Sequence, residues 1–148
     1  MIIRSVGEVI AGRKICSTPP HASVRAACEV LTRENVGALA VIADDALIGV
    51  LSERDVIRRA IGQNLSTDTT QVSDIMTMKP VTIGKDASLV EAMETMIQGG
   101  FRHLPVIEGD KVIGMLSMRD IPTEYRLMYE RYEESFSELK SPVRAEFA

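Results

Sequence analysis

The chain has 148 residues, of which 26% are charged and 45% are apolar, and its formal net charge is −4. This composition predicts one soluble domain, or two small ones that share a core. The acidic balance argues against broad binding to nucleic acid or anionic membranes, although it is compatible with a local basic pocket, and no segment approaches the roughly 20 apolar residues that a membrane-spanning helix needs. At the N-terminus, Met1–Arg4 lacks the layout of a signal peptide. Cys16 and Cys28 are too few for a disulfide framework and lack metal-ligand spacing, so we expect a reduced, cytoplasmic protein without a metal site.

An internal repeat dominates the sequence. When the chain is shifted by 65 residues, residues 22–56 align with 87–121, and 14 of these 35 pairs are identical. Just upstream the shift becomes 66, so that residues 6–9 align with 72–75. The chain therefore divides into two copies, and the predicted boundaries are 6–62 for the first copy, 63–71 for a polar linker, 72–121 for the second copy and 122–148 for a unique tail.

Each copy shows the same order of predicted elements, β-α-β-β-α. Apolar residues three and four positions apart predict a helix after Ser23, and the second copy repeats that face from Leu89 to Ile97. The predicted strands are 15–18, 38–42 and 47–51 in the first copy and 81–83, 104–107 and 112–116 in the second. Because each copy is too small to bury its own core, we expect both to pack sheet to sheet with pseudo-two-fold symmetry into one α/β (α+β) body, followed by a C-terminal helix.

A seven-residue motif stands where the last strand of each copy gives way to a helix. The sequence from Gly49 to Asp55 recurs from Gly114 to Asp120 with glycine, serine, arginine and aspartate at the same positions. Serine and aspartate at this spacing are typical of a helix cap. The same geometry also suits a ligand, since a carboxylate at a helix start accepts hydrogen bonds from a ribose diol and the glycine allows a ligand close to the strand.

This motif, together with Phe101–Val106 and its counterpart Val36–Val41, resembles the CBS domain, named from cystathionine β-synthase, arranged as a tandem pair. The resemblance covers about residues 6–121. It implies a regulatory, energy-sensing fold that binds an adenine nucleotide, such as AMP, ADP, ATP or NAD(H), in clefts between the repeats. It also implies no catalytic residue.

The resemblance carries its binding residues onto two clefts of this chain. The residues implied for the first cleft are Ser52, Asp55, Lys79, Pro80, Val81, Thr82, Arg102 and His103, together with Pro105 on the predicted strand that follows His103. The second takes Ser117, Asp120, Cys16, Ser17, Thr18, Gly37 and Ala38. Lys79, Arg102 and His103 are able to hold phosphate, whereas the second cleft has Gly37 and Ala38 at the positions of Arg102 and His103. We therefore expect weaker phosphate binding in the second cleft, with Arg54 and Arg119 near either one. His103 as a plain surface histidine remains an alternative.

The tail is unusually aromatic. Five of the six aromatic residues lie in it, and one helical stripe contains Tyr125, Met128, Tyr129, Tyr132, Phe136 and Leu139. Pro122 predicts that the second helix of the second copy begins late. Such a stripe needs cover, so we expect a homodimer in which the tail packs along the body or across to the second subunit. The alternative is a tail that covers its own subunit alone.

Three classes of function are consistent with these features to different degrees. The first is a nucleotide sensor that acts in trans on another protein, because no effector domain is fused to the repeats. The second is a ligand-free interaction or dimerisation module, in which serine and aspartate only cap helices. The third, an enzyme using Cys16 or an aspartate, has no supporting motif.

Overall fold

The computed structural model describes the backbone of residues 4–140 and the side chains of residues 4–137. Its first half contains α1 (Val6–Ile10), β1 (Ser17–Thr18), α2 (Val24–Glu34), β2 (Ala38–Ala43), β3 (Ala46–Ser52) and α3 (Glu53–Asp55), which continues as a π-helical turn (Val56–Ala60) and a 3-10 turn (Ile61–Gln63). Its second half contains α4 (Val72–Ile75), β4 (Thr77–Met78), β5 (Ile83–Gly84), α5 (Leu89–Gly99), β6 (His103–Glu108), β7 (Lys111–Ser117), a 3-10 turn (Met118–Asp120) and α6 (Thr123–Lys140). The predicted α+β fold of two repeats is confirmed, and each repeat also has a short leading helix, α1 or α4, that the periodicity did not indicate.

The same local signals shape α2 and α5. Ser23 Oγ accepts a hydrogen bond from Ala26 N (3.0 Å) at the start of α2, and Ser88 Oγ accepts one from Glu91 N (3.1 Å) at the start of α5. Both helices end at a residue in the left-handed region, Asn35 or Gly100. Identical start and stop signals therefore place the two helices equivalently in their repeats.

Two sheets face each other through β3 and β7. One sheet has the order β1-β2-β3-β4 and the other has the order β5-β6-β7, and their hairpins shift register at equivalent points, after Val41 and after Val106. β1 and β5 are shorter than predicted. Cys16 precedes β1 as a result, although its carbonyl still accepts a hydrogen bond from Ala40 N (3.0 Å).

The leading helices are exchanged between the repeats. The side chains of α1 are buried in the core of the second repeat, whereas those of α4 are buried in the core of the first. Backbone hydrogen bonds fix the exchange, because Val6 N donates to Ala87 O (2.8 Å) and Val72 N donates to Ala22 O (2.9 Å). Neither core is complete without a helix from the other half of the chain.

The tail helix begins as an extension of the second repeat. A single 3-10 turn precedes Pro122, and α6 starts late, as Pro122 predicts. Tyr125 is buried in the second core and Tyr129 is partly buried beside it, while Met128, Tyr132 and Phe136 are exposed. The predicted stripe is therefore divided between two sides of α6, and the side chains of Leu139 and Phe147 lie outside the described residues. None of the helices within residues 4–140 is both long and apolar enough to cross a membrane.

Candidate functional site

One cavity of about 930 Å³ opens between the two repeats, and it joins the two predicted clefts. The predicted residues that line it are Ser52, Asp55, Lys79, Pro80, Val81, Arg102, His103, Ser117, Asp120, Cys16, Gly37 and Ala38. The structure thus brings both serine–aspartate motifs to a common space rather than to two separate pockets.

Four predicted residues do not line this cavity. Thr18 is buried in β1, where its hydroxyl lies 3.3 Å from Pro19 O, and Pro105 is buried within β6. Ser17 is exposed on β1, and Thr82 precedes β5. Strand pairing begins at Ile83, so the predicted strand 81–83 starts too early and Thr82 lies outside β5.

The first motif caps its helix and leaves one carboxylate oxygen available. Ser52 Oγ accepts a hydrogen bond from Asp55 N (3.2 Å), and Asp55 Oδ2 accepts one from Ser52 N (3.0 Å). Asp55 Oδ1 lies 3.7 Å from Arg59 Nε, which is beyond hydrogen-bond distance. Arg59 itself is held by the carbonyls of Ile75 and Met76, each 3.2 Å from Nη1. The capping interpretation is therefore correct for Asp55, and it does not exclude a ligand at Oδ1.

The second motif differs in its carboxylate. Asp120 Oδ2 accepts a hydrogen bond from Ser117 N (2.8 Å), and Asp120 Oδ1 forms an ion pair with Arg13 Nη1 at 2.9 Å. Both oxygens of Asp120 consequently have partners, in contrast to Asp55.

Arg13 and Lys14 are cavity residues that the sequence interpretation omitted. They line the half of the cavity that contains Asp120, and Lys14 Nζ forms an ion pair with Glu34 Oε1 at 2.9 Å. The signal that locates them is the 66-residue shift, which aligns Arg13 with Lys79. The prediction of weaker phosphate binding in the second cleft did not take Arg13 and Lys14 into account, and it stays a prediction.

The cavity is strongly basic although the chain is acidic. Eight arginines and lysines and three carboxylates line it, a formal excess of five positive charges. No ion pair within residues 4–137 involves five of these cations, Arg54, Arg58, Lys79, Arg102 and Arg119. Such a concentration of unpaired cations favours a polyanionic ligand. Among the described residues, no three His, Cys, Asp or Glu side chains are grouped so as to hold a metal ion.

His103 lies where the two repeats meet. A Cβ atom at Gly37 would lie 3.1 Å from His103 Nε2 and 3.3 Å from Glu53 Oε1, so glycine is what allows His103 to approach the first repeat beside Glu53. Burial lowers the pKa of His103, Glu53 opposes this effect, and Arg102 and Arg119 add to it. His103 is thus a partly buried, neutral residue at pH 7 rather than a plain surface histidine.

The glycines of the repeated motif contact protein rather than an open ligand path. A Cβ atom at Gly49 would lie 2.7 Å from Met76 Sδ and 2.9 Å from Thr77 O, and one at Gly114 would lie 2.7 Å from Ile10 Cδ1. The suggestion that they admit a ligand is wrong, since the space is filled by β4 and by the ends of the exchanged helices.

Comparisons with known proteins identify the family to which the chain belongs. The sequence model of the CBS domain matches residues 6–62 and 72–124. The chain belongs to the CBS-domain family. A CBS domain-containing protein of Arabidopsis thaliana is 37% identical over 106 residues, which are 71% of this chain and 19% of the plant protein. This CBS pair therefore spans about a fifth of that relative's length.

Solved CBS structures share the fold. A CBS-domain containing protein from Agrobacterium tumefaciens matches with a TM-score of 0.74 and 30% identity, over 82% of this chain and 92% of that one. The CBS domain protein of Pyrobaculum aerophilum, complexed with AMP, matches with a TM-score of 0.75 and 28% identity, over 86% and 97% of the two chains. The second CBS match ends at residue 124, just after α6 begins at Thr123.

Proposed function

We propose that this CBS pair is a regulatory sensor that binds an adenine nucleotide in the cavity between its repeats. The observation that carries the proposal is the excess of unpaired cations beside a helix-capping carboxylate whose second oxygen accepts no hydrogen bond from the described residues. The AMP complex of the Pyrobaculum relative supports an adenine nucleotide as the ligand class. AMP, ADP, ATP and NAD(H) all belong to this class.

The chemistry divides between Asp55 and the cations. In this proposal, Asp55 Oδ1, which accepts no hydrogen bond from the described residues, accepts hydrogen bonds from the two hydroxyl groups of a ribose. Lys79 and Arg102 line the same cavity and are able to bind phosphate. Bound nucleotide would contact both repeats at once, so binding would be coupled to the relative position of the two repeats. A regulated protein that acts as partner in trans would read that change.

A thermal-shift panel of AMP, ADP, ATP, NAD, NADH and S-adenosylmethionine tests this function. A ligand that binds only the folded state raises the melting temperature, and we expect the phosphate-bearing nucleotides to do so. A flat response to the whole panel contradicts the proposal. It would favour the ligand-free interaction module instead, which the intact helix caps of Ser52 and Ser117 also fit.

Homodimerisation is a further part of the proposal. The helical segment after Ser52 exposes Ile57 and Ile61, at 62% and 57%, and α6 exposes Met128 and Tyr132, at 58% and 62%. Tyrosine and methionine are enriched in protein interfaces. Light scattering should show a dimer that Ile57→Glu or Met128→Glu weakens. A truncation at Thr123 is unsuitable, because it removes the buried Tyr125 from the second core.

Arg102→Ala should weaken AMP binding about three- to tenfold while leaving adenosine binding nearly unchanged, because a guanidinium contributes mainly through phosphate. Isothermal titration calorimetry with both ligands measures the difference. Arg25→Ala removes one positive charge from α2, outside the cavity, and is the matched control. Equal losses for AMP and adenosine would assign Arg102 a structural role.

His103 should make the protein less stable in mild acid. Its pKa is lowered in the folded state, so the unfolded chain binds the proton first as pH falls below about 6.5, and the free energy of unfolding decreases until pH passes the folded-state pKa. Urea denaturation between pH 8 and pH 5 measures this slope. His103→Gln should flatten it, whereas the exposed His21 provides the control variant His21→Gln, which should follow the parent curve. Parallel curves for all three proteins would refute the assignment.

A further inference from the structure

The two capping carboxylates are equivalent in sequence and differ in their surroundings. Asp55 Oδ1 has no hydrogen-bond partner among the described residues, since Arg59 Nε stays 3.7 Å away. Asp120 Oδ1 is 2.9 Å from Arg13 Nη1, and its other oxygen is bound to Ser117 N. The Asp120 side chain is 13% exposed, so the ion pair lies largely out of solvent on the carboxylate side.

We infer that Arg13 is a gate on the Asp120 half of the cavity. Its guanidinium holds the carboxylate oxygen that a ribose diol requires, so a nucleoside enters this half only by displacing the Arg13 side chain. The inference rests on the proposed function, and it adds that the two halves bind unequally: the Asp55 half fills first and the Asp120 half fills at higher concentration.

Only the side chain of Arg13 has to move for the gate to open. Arg13 N donates to Ile10 O (3.0 Å), and Ile10 is buried in the second core, so the backbone at this point is fixed. The Arg13 side chain is 47% exposed and pairs with Asp120 alone among residues 4–137. Displacing it therefore costs one half-exposed ion pair and no rearrangement of α1.

In the first half of the cavity Arg59 pairs with Asp55 Oδ1 only at 3.7 Å, beyond hydrogen-bond distance, and its guanidinium is held by two backbone carbonyls instead, so it does not block the carboxylate as Arg13 does. Lys79 aligns with Arg13 at the 66-residue shift, lines the cavity and takes part in no ion pair within the described residues. Its backbone φ of +48° is in the left-handed region, unlike the course of the chain at Arg13. The two halves therefore differ in the segments that contain Arg13, before β1, and Lys79, after β4. They do not differ in the caps, because Asp55 and Asp120 each accept a hydrogen bond from the backbone N of their serine.

Adenosine is the probe that isolates the gate. Because adenosine has no phosphate, removal of Arg13 does not take away a phosphate contact, and the predicted gain in affinity is not masked. An Asp55→Ala background leaves Asp120 as the one capping carboxylate of the cavity, so calorimetry reports the gated half. Circular dichroism confirms that this background folds, and Asp55→Asn, which retains an oxygen for the cap, replaces it if the alanine variant does not.

In that background, Arg13→Ala should tighten adenosine binding about three- to tenfold, in line with the loss of one partly exposed ion pair. Arg25→Ala removes the same charge from α2, outside the cavity, and leaves the Arg13–Asp120 pair intact, so its affinity should stay within about twofold of the background. In an added Asp120→Ala variant, Arg13→Ala should have no effect, because the two residues act as one unit.

The outcomes separate the gate from the proposed function. Unchanged or weaker adenosine binding after Arg13→Ala in the Asp55→Ala background, while the wild-type protein binds AMP, overturns the gate alone. Failure of the wild-type protein to bind adenosine and AMP at any site overturns the proposed function and the gate together. An equal gain from Arg25→Ala also overturns the gate, because it would make the effect one of general charge.

Discussion

Replacing Ile75 with alanine should lower the free energy of unfolding by about 2–5 kcal/mol, the range for removing a fully buried isoleucine side chain. Ile75 is 2% exposed and comes from α4, yet it packs in the core of the first repeat. Its loss therefore leaves a cavity in a core that belongs to residues far away along the chain. Urea denaturation measures the change.

The control for this variant is Ile15→Ala, which removes the same atoms from a residue that is 39% exposed. We expect its effect to be about 0.5 kcal/mol or less, as is usual for surface positions. Similar losses for both variants would contradict the exchange of α1 and α4 between the cores. Unfolding should also remain a single transition, because each core contains residues from both repeats.

Asp55→Ala should weaken nucleotide binding by about 1.5–3 kcal/mol, or roughly 10- to 150-fold, the range for a hydrogen bond to a charged group. The carboxylate has one oxygen on Ser52 N and one directed at no hydrogen-bond partner within the described residues. Calorimetry with AMP measures the loss. Because the same substitution removes a helix cap, some stability is also lost, about 0.5–2 kcal/mol.

Asp74→Ala distinguishes the two effects of Asp55. Asp74 Oδ2 accepts a hydrogen bond from Gln71 N (2.9 Å) at the start of α4 and does not line the cavity. It should cost comparable stability and leave AMP affinity unchanged. If Asp74→Ala weakens AMP binding as much as Asp55→Ala does, the carboxylate of Asp55 acts through the fold and not on the ribose.

The sequence was sufficient to predict the repeats, the paired strands and α2 and α5, because these follow from local apolar spacing and capping residues. It was insufficient for the exchange of α1 and α4. Residues 6–9 and 72–75 have the same short apolar pattern. Because both copies share this pattern, it cannot predict in which of the two cores each helix is buried. That choice depends on the route of the chain, which is a tertiary property.

Some residues of the candidate site could likewise be predicted from the sequence, and others could not. Ser52, Asp55 and Arg102 follow from the repeated motif and strand, whereas Arg13 required the change of shift from 65 to 66 to be followed upstream. The pairing of Arg13 with Asp120 joins residues that are far apart along the chain. A local sequence pattern cannot predict a contact between residues so far apart along the chain. The difference between the partners of Asp55 and those of Asp120 is therefore seen only in the folded structure.

A single CBS repeat with this arrangement does not complete its own core. It carries the short helix that fills the core of another copy and lacks the one that fills its own. A protein with one such repeat would therefore complete its core only by pairing with a second copy, each contributing a helix to the other. In this chain residues 63–71 join the two repeats, so that a high effective concentration replaces concentration-dependent assembly.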